Sequence, residues 1–90
     1  MKNCKRIEFK KSAEKFLKNR SRKEQIRLLA KIYALPDGEH IKKMEGYENR
    51  YRLRVGDYRV IYEIRNCNEP EITLLILVVE IGSRGDIYKR

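Results

Sequence analysis

Three arginines are the residues of this sequence whose types and spacing most strongly suggest chemistry. Arg52 and Arg54 alternate with apolar residues in one predicted strand, and Arg59 lies in the next strand, beyond the Gly56-Asp57 turn. A two-residue turn with glycine at its first central position favours a type II′ hairpin, and this register sets Arg54 directly opposite Arg59. Like charges in opposing positions destabilise a sheet. The cluster therefore predicts an anion site, and phosphate suits the forked guanidinium group.

Exposed arginines paired with carboxylates are the alternative interpretation, because repulsion at an exposed surface is screened by salt. Candidate partners are Glu45, Glu48, Asp57 and Glu63. The chain carries a formal net charge of +9, and the basic residues of positions 46–90 are seven arginines and one lysine. This surplus favours a polyanionic partner. Nucleic acid is the commonest one, although an acidic protein would satisfy the same charge.

Further candidates lie outside the hairpin. Arg84 follows the last predicted strand and can extend over the arginine cluster, where Tyr88 is a candidate for proton transfer or for stacking on a base. His40 is the one histidine of the chain, so a paired-histidine site is excluded, and we interpret His40 as a surface loop residue. Additional candidates for binding substrate or ribosomal RNA are Lys42, Lys43, Arg50, Lys23 and Arg27.

Length and composition limit the function classes. Ninety residues predict a single domain over positions 1–90. A charged fraction of 39% and a mean hydropathy of -0.74 exclude a membrane-embedded chain. Cys4 and Cys67 lie far from any metal-ligand spacing, so we expect neither a metal nor a cofactor. The first residues lack the apolar stretch of a signal peptide, and the expected location is the cytoplasm.

Two helices are predicted after a short strand at Arg6–Phe9. Ser12 is the expected cap of the first helix, and the S-x-x-E pattern of Ser21–Glu24 is a capping box for the second. The second helix should end near Leu35, before a proline. Its expected buried face consists of residues at helical spacing: Ile26, Leu29, Ala30 and Tyr33.

Strands are predicted for most of the second half of the chain. The polar segment Glu39–Asn49 is interpreted as an ordered loop, and alternation then predicts the hairpin around Gly56-Asp57. A turn at Asn66–Pro70 leads to an apolar strand at Ile72–Ile81, expected to be central and covered on both faces. The predicted fold class is α+β: a short N-terminal strand, a two-helix hairpin and an antiparallel β-meander, with the helices packed on one face.

Several segments, in this order, resemble the RelE/ParE superfamily of type II toxins over nearly the whole chain. Tyr58–Tyr62 is similar to the Y-R-hydrophobic-hydrophobic-Y strand of that superfamily, and Gly82–Tyr88 is similar to its G-[H/K]-R-x-x-[VI]-Y tail. The other matching segments are Lys43–Gly46, Tyr51–Arg54 and Gly56-Asp57.

The resemblance to the RelE branch implies a ribosome-dependent endoribonuclease that needs no metal. It cuts mRNA in the ribosomal A site by attack of the 2′-hydroxyl on the adjacent phosphate. By position, Arg52 and Arg54 match the basic strand residues, Arg59 the transition-state arginine, Arg84 the tail arginine and Tyr88 the terminal tyrosine. Arginine replaces the lysine common at the strand positions, so the general base stays unassigned.

Two other classes remain open alongside the RelE-like nuclease. The ParE branch poisons DNA gyrase with the same fold, and a non-catalytic basic RNA-binding module would explain the charge alone. The resemblance implies an acidic antitoxin as partner, besides the 70S ribosome and mRNA, with operator DNA contacted only through the antitoxin. No membrane partner is expected. Retention of the arginines together with Tyr88 favours the ribonuclease.

Overall fold

The structure, a computed structural model, describes residues 5–66 and 74–83. Its strands form one mixed sheet in the order β1-β5-β4-β3-β2, in which β1 and β5 are parallel and the other pairs antiparallel. The predicted α+β class is confirmed, and the predicted meander is the β3-β4-β5 part of this sheet. The elements are β1 (Lys5–Phe9), α1 (Lys11–Lys18), α2 (Arg22–Tyr33), β2 (Ile41–Lys43), β3 (Arg50–Val55), β4 (Tyr58–Asn66) and β5 (Leu74–Ser83).

The β3–β4 hairpin has the register that the turn predicts. Arg54 pairs with Arg59, and Leu53 pairs with Val60. Gly56 opens the turn with a φ of 59°, a left-handed conformation that glycine adopts without a steric penalty. Because neighbouring side chains of a strand point to opposite faces, this register separates the arginines from the apolar residues.

Strand β2 corrects the prediction of a loop over Glu39–Asn49. Ile41 pairs with Leu53 and Lys42 pairs with Arg52 in an antiparallel ladder. A three-residue strand carries almost no hydrophobic periodicity of its own. It forms because β3 would otherwise present unpaired backbone groups along its outer edge.

Strand β5 lies between β1 and β4, in the central position that its apolar sequence predicts. Ile76 and Val78 are fully buried, whereas Leu75 and Leu77 on the opposite face are partly buried, so the second face is covered less completely than the first. The predicted turn Asn66–Pro70 lies outside the described residues beyond its first position.

The starts of the two helices differ in how well the sequence predicts them. Ser21 caps α2, because its hydroxyl accepts a hydrogen bond from the backbone N–H of Glu24 at 3.3 Å. Ser12 does not cap α1. The helix starts two residues earlier than a Ser12 cap would place it, with Lys10 at the cap position, and the Ser12 hydroxyl donates to the carbonyl of Val79 at 3.5 Å.

The buried face of α2 is not the predicted one. Leu28 and Ile32 are fully buried, whereas 61% of Ile26 and 54% of Tyr33 are exposed. Ala30 is exposed as well. Leu28, Ile32 and the buried Leu35 also recur at helical spacing, so the periodicity alone fits two faces. We call the exposed set of Ile26, Ala30 and Tyr33 the α2 stripe.

Lys5 ties the end of α2 to the edge of the sheet. Its ammonium group donates to the carbonyl of Tyr33 at 2.6 Å and to that of Leu35. A cation at a helix C-terminus satisfies carbonyls that have no partner within the helix. This contact joins the end of α2 to β1.

One hydrophobic core cluster joins the helices to the sheet, while packing of both helices on one face stays a prediction. Among the described residues, no helix is long and apolar enough to cross a membrane. The buried members of the cluster are Ala13, Leu28, Ile32, Leu35, Leu53, Val55, Val60, Tyr62, Ile76, Val78 and Ile81.

Candidate functional site

The three hairpin arginines line an open groove on the sheet face opposite the core. The groove has a volume of about 510 Å³. Strand alternation sends Arg52 and Arg54 away from Leu53, and pairing across the ladder brings Arg59 opposite Arg54. We call this cavity the arginine groove. Its lining residues are His40, Ile41, Lys42, Arg52, Arg54 and Arg59.

The arginines of the groove differ in their exposure. Arg54 is exposed, Arg52 is half-buried, and only 5% of Arg59 is exposed. A buried guanidinium interacts more strongly with a charge than a solvated one, because less water screens the interaction. With Lys42 the groove collects four cationic side chains, and this composition suits a phosphate or a phosphodiester.

The structure thus brings together three of the predicted catalytic residues, Arg52, Arg54 and Arg59. The other two, Arg84 and Tyr88, lie outside the described residues, and their roles stay predictions. Lys42 joins the groove through the β2 strand, which pairs it with Arg52. The sequence named Lys42 as a substrate-binding candidate but gave no contact with the arginines.

A second cavity continues the cationic surface along β2. It measures about 260 Å³ and shares Lys42 and Arg52 with the arginine groove, while Lys43, Met44 and Glu45 complete its lining. The two cavities therefore adjoin one another at Lys42 and Arg52. Together they form a cationic path along the edge of the sheet.

Arg50, at the start of β3, is held by a carboxylate. It forms an ion pair with Glu63 directly across the ladder, and Arg65 binds the other carboxylate oxygen at 2.7 Å. Hydrogen bonds from Arg50 and Arg65 lower the pKa of Glu63 and outweigh the opposing effect of burial. The Arg50 guanidinium also lies 4.3 Å from the ring centre of Tyr47, in a cation–π contact.

Lys23 and Arg27, the candidates on α2, do not line the arginine groove. Lys23 is exposed. The Arg27 guanidinium lies against the hairpin turn, where its Cζ would be 2.9 Å from a Cβ added to Gly56. Glycine at this turn therefore serves both the left-handed conformation and the close approach of Arg27. Neither cation contributes to the cavity that Arg52 and Arg54 form.

Of the hairpin tyrosines, Tyr62 is buried in the core, and Tyr51 and Tyr58 are partly buried and pack against it. Tyr51 and Tyr62 stack with ring centres 5.6 Å apart on the face opposite the arginine groove. Burial, together with the neighbouring Tyr51, raises the pKa of Tyr62 to about 12. Tyr62 therefore stays protonated at neutral pH. Tyr33, which the sequence also assigned to the core, is instead exposed on α2.

His40 is the groove residue that sequence reasoning missed. It lines the arginine groove immediately before β2, and its carbonyl accepts a hydrogen bond from the Arg54 N–H at 3.1 Å. Its φ is 64°, a left-handed value that is uncommon outside glycine. The sequence did offer one sign of this position: His40 and Lys42 are two residues apart, so in a strand they lie on the same face. This spacing places His40 in the groove only once the pairing of β2 with β3 is known.

Within residues 5–66 and 74–83, no three His, Cys, Asp or Glu residues are grouped so that they could hold a metal ion. The polar groups that line the arginine groove are instead mainly cationic nitrogen donors. Their chemistry fits the binding of a phosphate directly by side chains.

The fold agrees with the comparisons with known proteins. The family model described as the ParE toxin of the type II toxin-antitoxin system, parDE, matches residues 7–88. The chain belongs to this family, within the RelE/ParE superfamily, which confirms the resemblance seen in the sequence. It is a toxin of a type II toxin-antitoxin system.

Two solved structures give the same result at the level of three-dimensional fold. One is the RelB-RelE antitoxin-toxin complex from Methanococcus jannaschii: TM-score 0.68, 28% identity, 91% of this chain and 95% of that chain covered. The other is the archaeal RelE-RelB complex from Pyrococcus horikoshii OT3: TM-score 0.66, 27% identity, 89% and 94% covered. No protein of curated function matches the sequence significantly.

Proposed function

We propose that this toxin is a ribosome-dependent, metal-independent endoribonuclease that cuts mRNA in the ribosomal A site. The observation that carries the proposal is the arginine groove, where Arg52, Arg54 and Arg59 converge on one cavity. The similarity to RelE structures supports the nuclease branch of the superfamily. Acting on translating ribosomes would place the protein in the cytoplasm.

The proposed reaction is attack of the mRNA 2′-hydroxyl on the adjacent phosphate. The O2′–P bond forms and the P–O5′ bond breaks, which leaves a 2′,3′-cyclic phosphate and a 5′-hydroxyl. Negative charge accumulates on the phosphorane oxygens, and fixed cations stabilise it in the transition state. Arg59 is best placed for this because its guanidinium is buried at the base of the groove, beside Arg54.

The remaining candidates have supporting roles in the proposal. Lys42 and Lys43 guide the mRNA backbone along the second cavity, while Lys23 contacts ribosomal RNA from the exposed surface of α2. Arg84 and Tyr88 retain the tail roles that the family resemblance implies, charge stabilisation and stacking. The ribosome itself supplies the alignment of the substrate, which is a large part of catalysis by positioning.

An acidic antitoxin is the proposed partner, and both RelE structures are complexes with RelB. The α2 stripe supports this assignment. Ile26 and Tyr33 are exposed apolar residues, and the neighbouring Arg22 and Lys23 are exposed cations. An amphipathic helix with acidic flanks would match this surface in both apolar character and charge. Contact with operator DNA is proposed to occur through the antitoxin alone.

Gyrase inhibition is the second candidate function, because the matching family model is that of the ParE toxin. A gyrase inhibitor would need no cation cluster for cutting RNA. The arginine groove therefore favours the nuclease, and experiment can separate the two directly.

The deciding experiment is primer extension on cellular transcripts after brief induction of the toxin. We expect cuts within codons that disappear when translation is blocked before induction. Arg59→Ala should lose these cuts, and Lys31→Ala, which removes an exposed cation of α2 outside the groove, should keep them. Intact transcripts accompanied by a DNA-damage response would contradict the proposal and support gyrase inhibition.

A further inference from the structure

The arginine groove contains an excess of proton donors. The side chains of Arg52, Arg54, Arg59 and Lys42 have no lone pair available at neutral pH, so they can stabilise charge but cannot accept a proton. Attack by a 2′-hydroxyl requires a proton acceptor. His40 is the lining side chain that can serve, because a neutral imidazole has one free ring nitrogen.

The backbone holds His40 at the wall of the groove. The Arg54 N–H donates to the His40 carbonyl at 3.1 Å, which joins the residue to the strand that carries two of the arginines. Its left-handed φ of 64° is one that histidine, asparagine and aspartate adopt more readily than most other residues. A strained backbone at a cavity wall is typical of residues held for function.

The charged residues around His40 come from three strands and from its own loop. Arg52 and Arg54 of β3, Arg59 of β4 and Lys42 of β2 line the same cavity. The carboxylate of Glu39 lies 3.9 Å from Nε2 and is largely in solvent, with a side-chain exposure of 91%. The cations would hold the phosphodiester beside the imidazole, which itself remains 62% exposed and accessible to substrate.

We propose that His40 is the general base of the cleavage reaction, an inference that rests on the proposed nuclease function. Its neutral imidazole takes the proton of the 2′-hydroxyl as the O2′–P bond forms. The 5′-oxygen leaves with the electron pair of the P–O5′ bond and takes a proton from solvent water. The imidazolium then returns its proton to solvent, so that the protein ends the cycle unchanged.

Single-turnover cleavage of mRNA on programmed 70S ribosomes tests the assignment, with rates measured from about pH 5.5 to 8.5 across the histidine range. His40→Asn is the informative variant, because asparagine tolerates the left-handed backbone but cannot act as the base. His40→Gly relieves the backbone strain and leaves space for free imidazole. Glu39→Gln is the matched control, since it changes the neighbouring residue outside the groove lining.

We expect His40→Asn and His40→Gly to cleave about 100-fold more slowly than wild type. The variants should lose the pH dependence that the imidazole gives to the wild-type rate, and added imidazole should restore at least about a tenth of the rate lost by the glycine variant. Ribosome binding should persist, because the arginines remain. Glu39→Gln should stay within about threefold of wild type, as expected for an exposed pair.

The possible outcomes separate the two proposals. If wild type cleaves and His40→Asn does so at the same rate with the same pH dependence, His40 is not the base and the nuclease assignment stands. If the variants are slow, imidazole does not restore the rate of His40→Gly, and the pH profile of the variants is that of wild type, then His40 acts only through structure. If wild type cleaves no mRNA on ribosomes, the proposed function fails and the role of His40 fails with it.

Discussion

At the scale of single residues, Arg54 and Arg59 illustrate how this sheet accommodates function. They are directly opposite each other, an arrangement that two like charges disfavour, while the next pair, Leu53 and Val60, lies in the core. Successive side chains of β3 therefore alternate between the arginine groove and the core. Substitutions in the arginine groove can change one property with little effect on the other.

Arg54→Gln should therefore stabilise the protein and impair it at the same time. Removing one of two facing charges should raise the free energy of unfolding by about 0.2–1 kcal/mol. Cleavage should fall by about 100-fold, as for the loss of one group that stabilises a transition state. Urea denaturation and single-turnover cleavage measure the two effects.

Lys31→Gln is the control for Arg54→Gln, because Lys31 is an exposed cation on α2 outside the groove. It should change the free energy of unfolding by less than about 0.5 kcal/mol and the cleavage rate by less than about a factor of two. A less stable Arg54→Gln variant would show that the facing charges do not repel in the free toxin.

Glu63 makes the stability of the toxin depend on pH in the acidic range. Arg50 and Arg65 lower the pKa of Glu63 below its ordinary value of 4.5, so the folded state keeps this carboxylate ionised where the unfolded state has begun to protonate. The resulting stabilisation is complete above pH 4.5 and is lost as the pH falls through the lower pKa of the folded state.

Glu63→Gln should weaken the dependence of the free energy of unfolding on pH in the acidic range. At pH 7 we expect the variant to be less stable by about 1.5–3 kcal/mol, because two charge-assisted hydrogen bonds are weakened. Below the ordinary glutamate pKa the difference should shrink. Urea unfolding at a series of pH values measures this, with the exposed Glu39→Gln as control. A constant difference at all pH values would refute the assignment.

At the scale of elements, α2 shows why periodicity can select the wrong helix face. Two sets of apolar residues lie at helical spacing, and only tertiary contacts distinguish them. Leu28 packs in the core and Ile26 is exposed, while Lys5 of β1 contacts the end of the helix at Tyr33 and Leu35. The sequence shows apolar spacing on both faces of the helix. It does not show the contact with Lys5, which is 28 residues before Tyr33 in the chain.

A matched pair of variants tests this assignment of faces. Leu28→Ala should lower the free energy of unfolding by about 2–5 kcal/mol, because it leaves a cavity in the core. Ile26→Ala should change it by less than about 0.5 kcal/mol but weaken antitoxin binding at least tenfold, a loss of about 1.4 kcal/mol. Urea denaturation and calorimetric titration with the antitoxin separate the two effects. Equal destabilisation by both variants would contradict the structure.

The hairpin was predictable and β2 was not, for a physical reason. Residues around Gly56 carry both a turn signal and strict alternation, so local chemistry fixes the register that brings Arg54 to Arg59. Strand β2 is held by the edge of β3 and has no such local signal. The position of His40 in the site depends on that edge pairing, and this is why His40 was interpreted as a loop residue.

At the scale of the whole molecule, the sheet joins distant parts of the chain. β1 pairs in parallel with β5, so that Ile7 lies beside Ile76, and β5 lies in turn beside β4. The predicted meander omitted the β1–β5 pair because parallel pairing between distant segments has no turn to reveal it. The same strand order lets Gly82 of β5 flank the buried Arg59 of the arginine groove.

The central position of β5 also imposes an order of events on the synthesis of the toxin. A growing chain that ends at Asn66 contains the arginine hairpin but lacks the strand between β4 and β1, so both of those edges stay unpaired. Translation must pass Ser83 before the sheet can close. If the toxin cuts messages on ribosomes, cutting its own message upstream of that point would yield only fragments without a central strand. Its production would then be self-limiting.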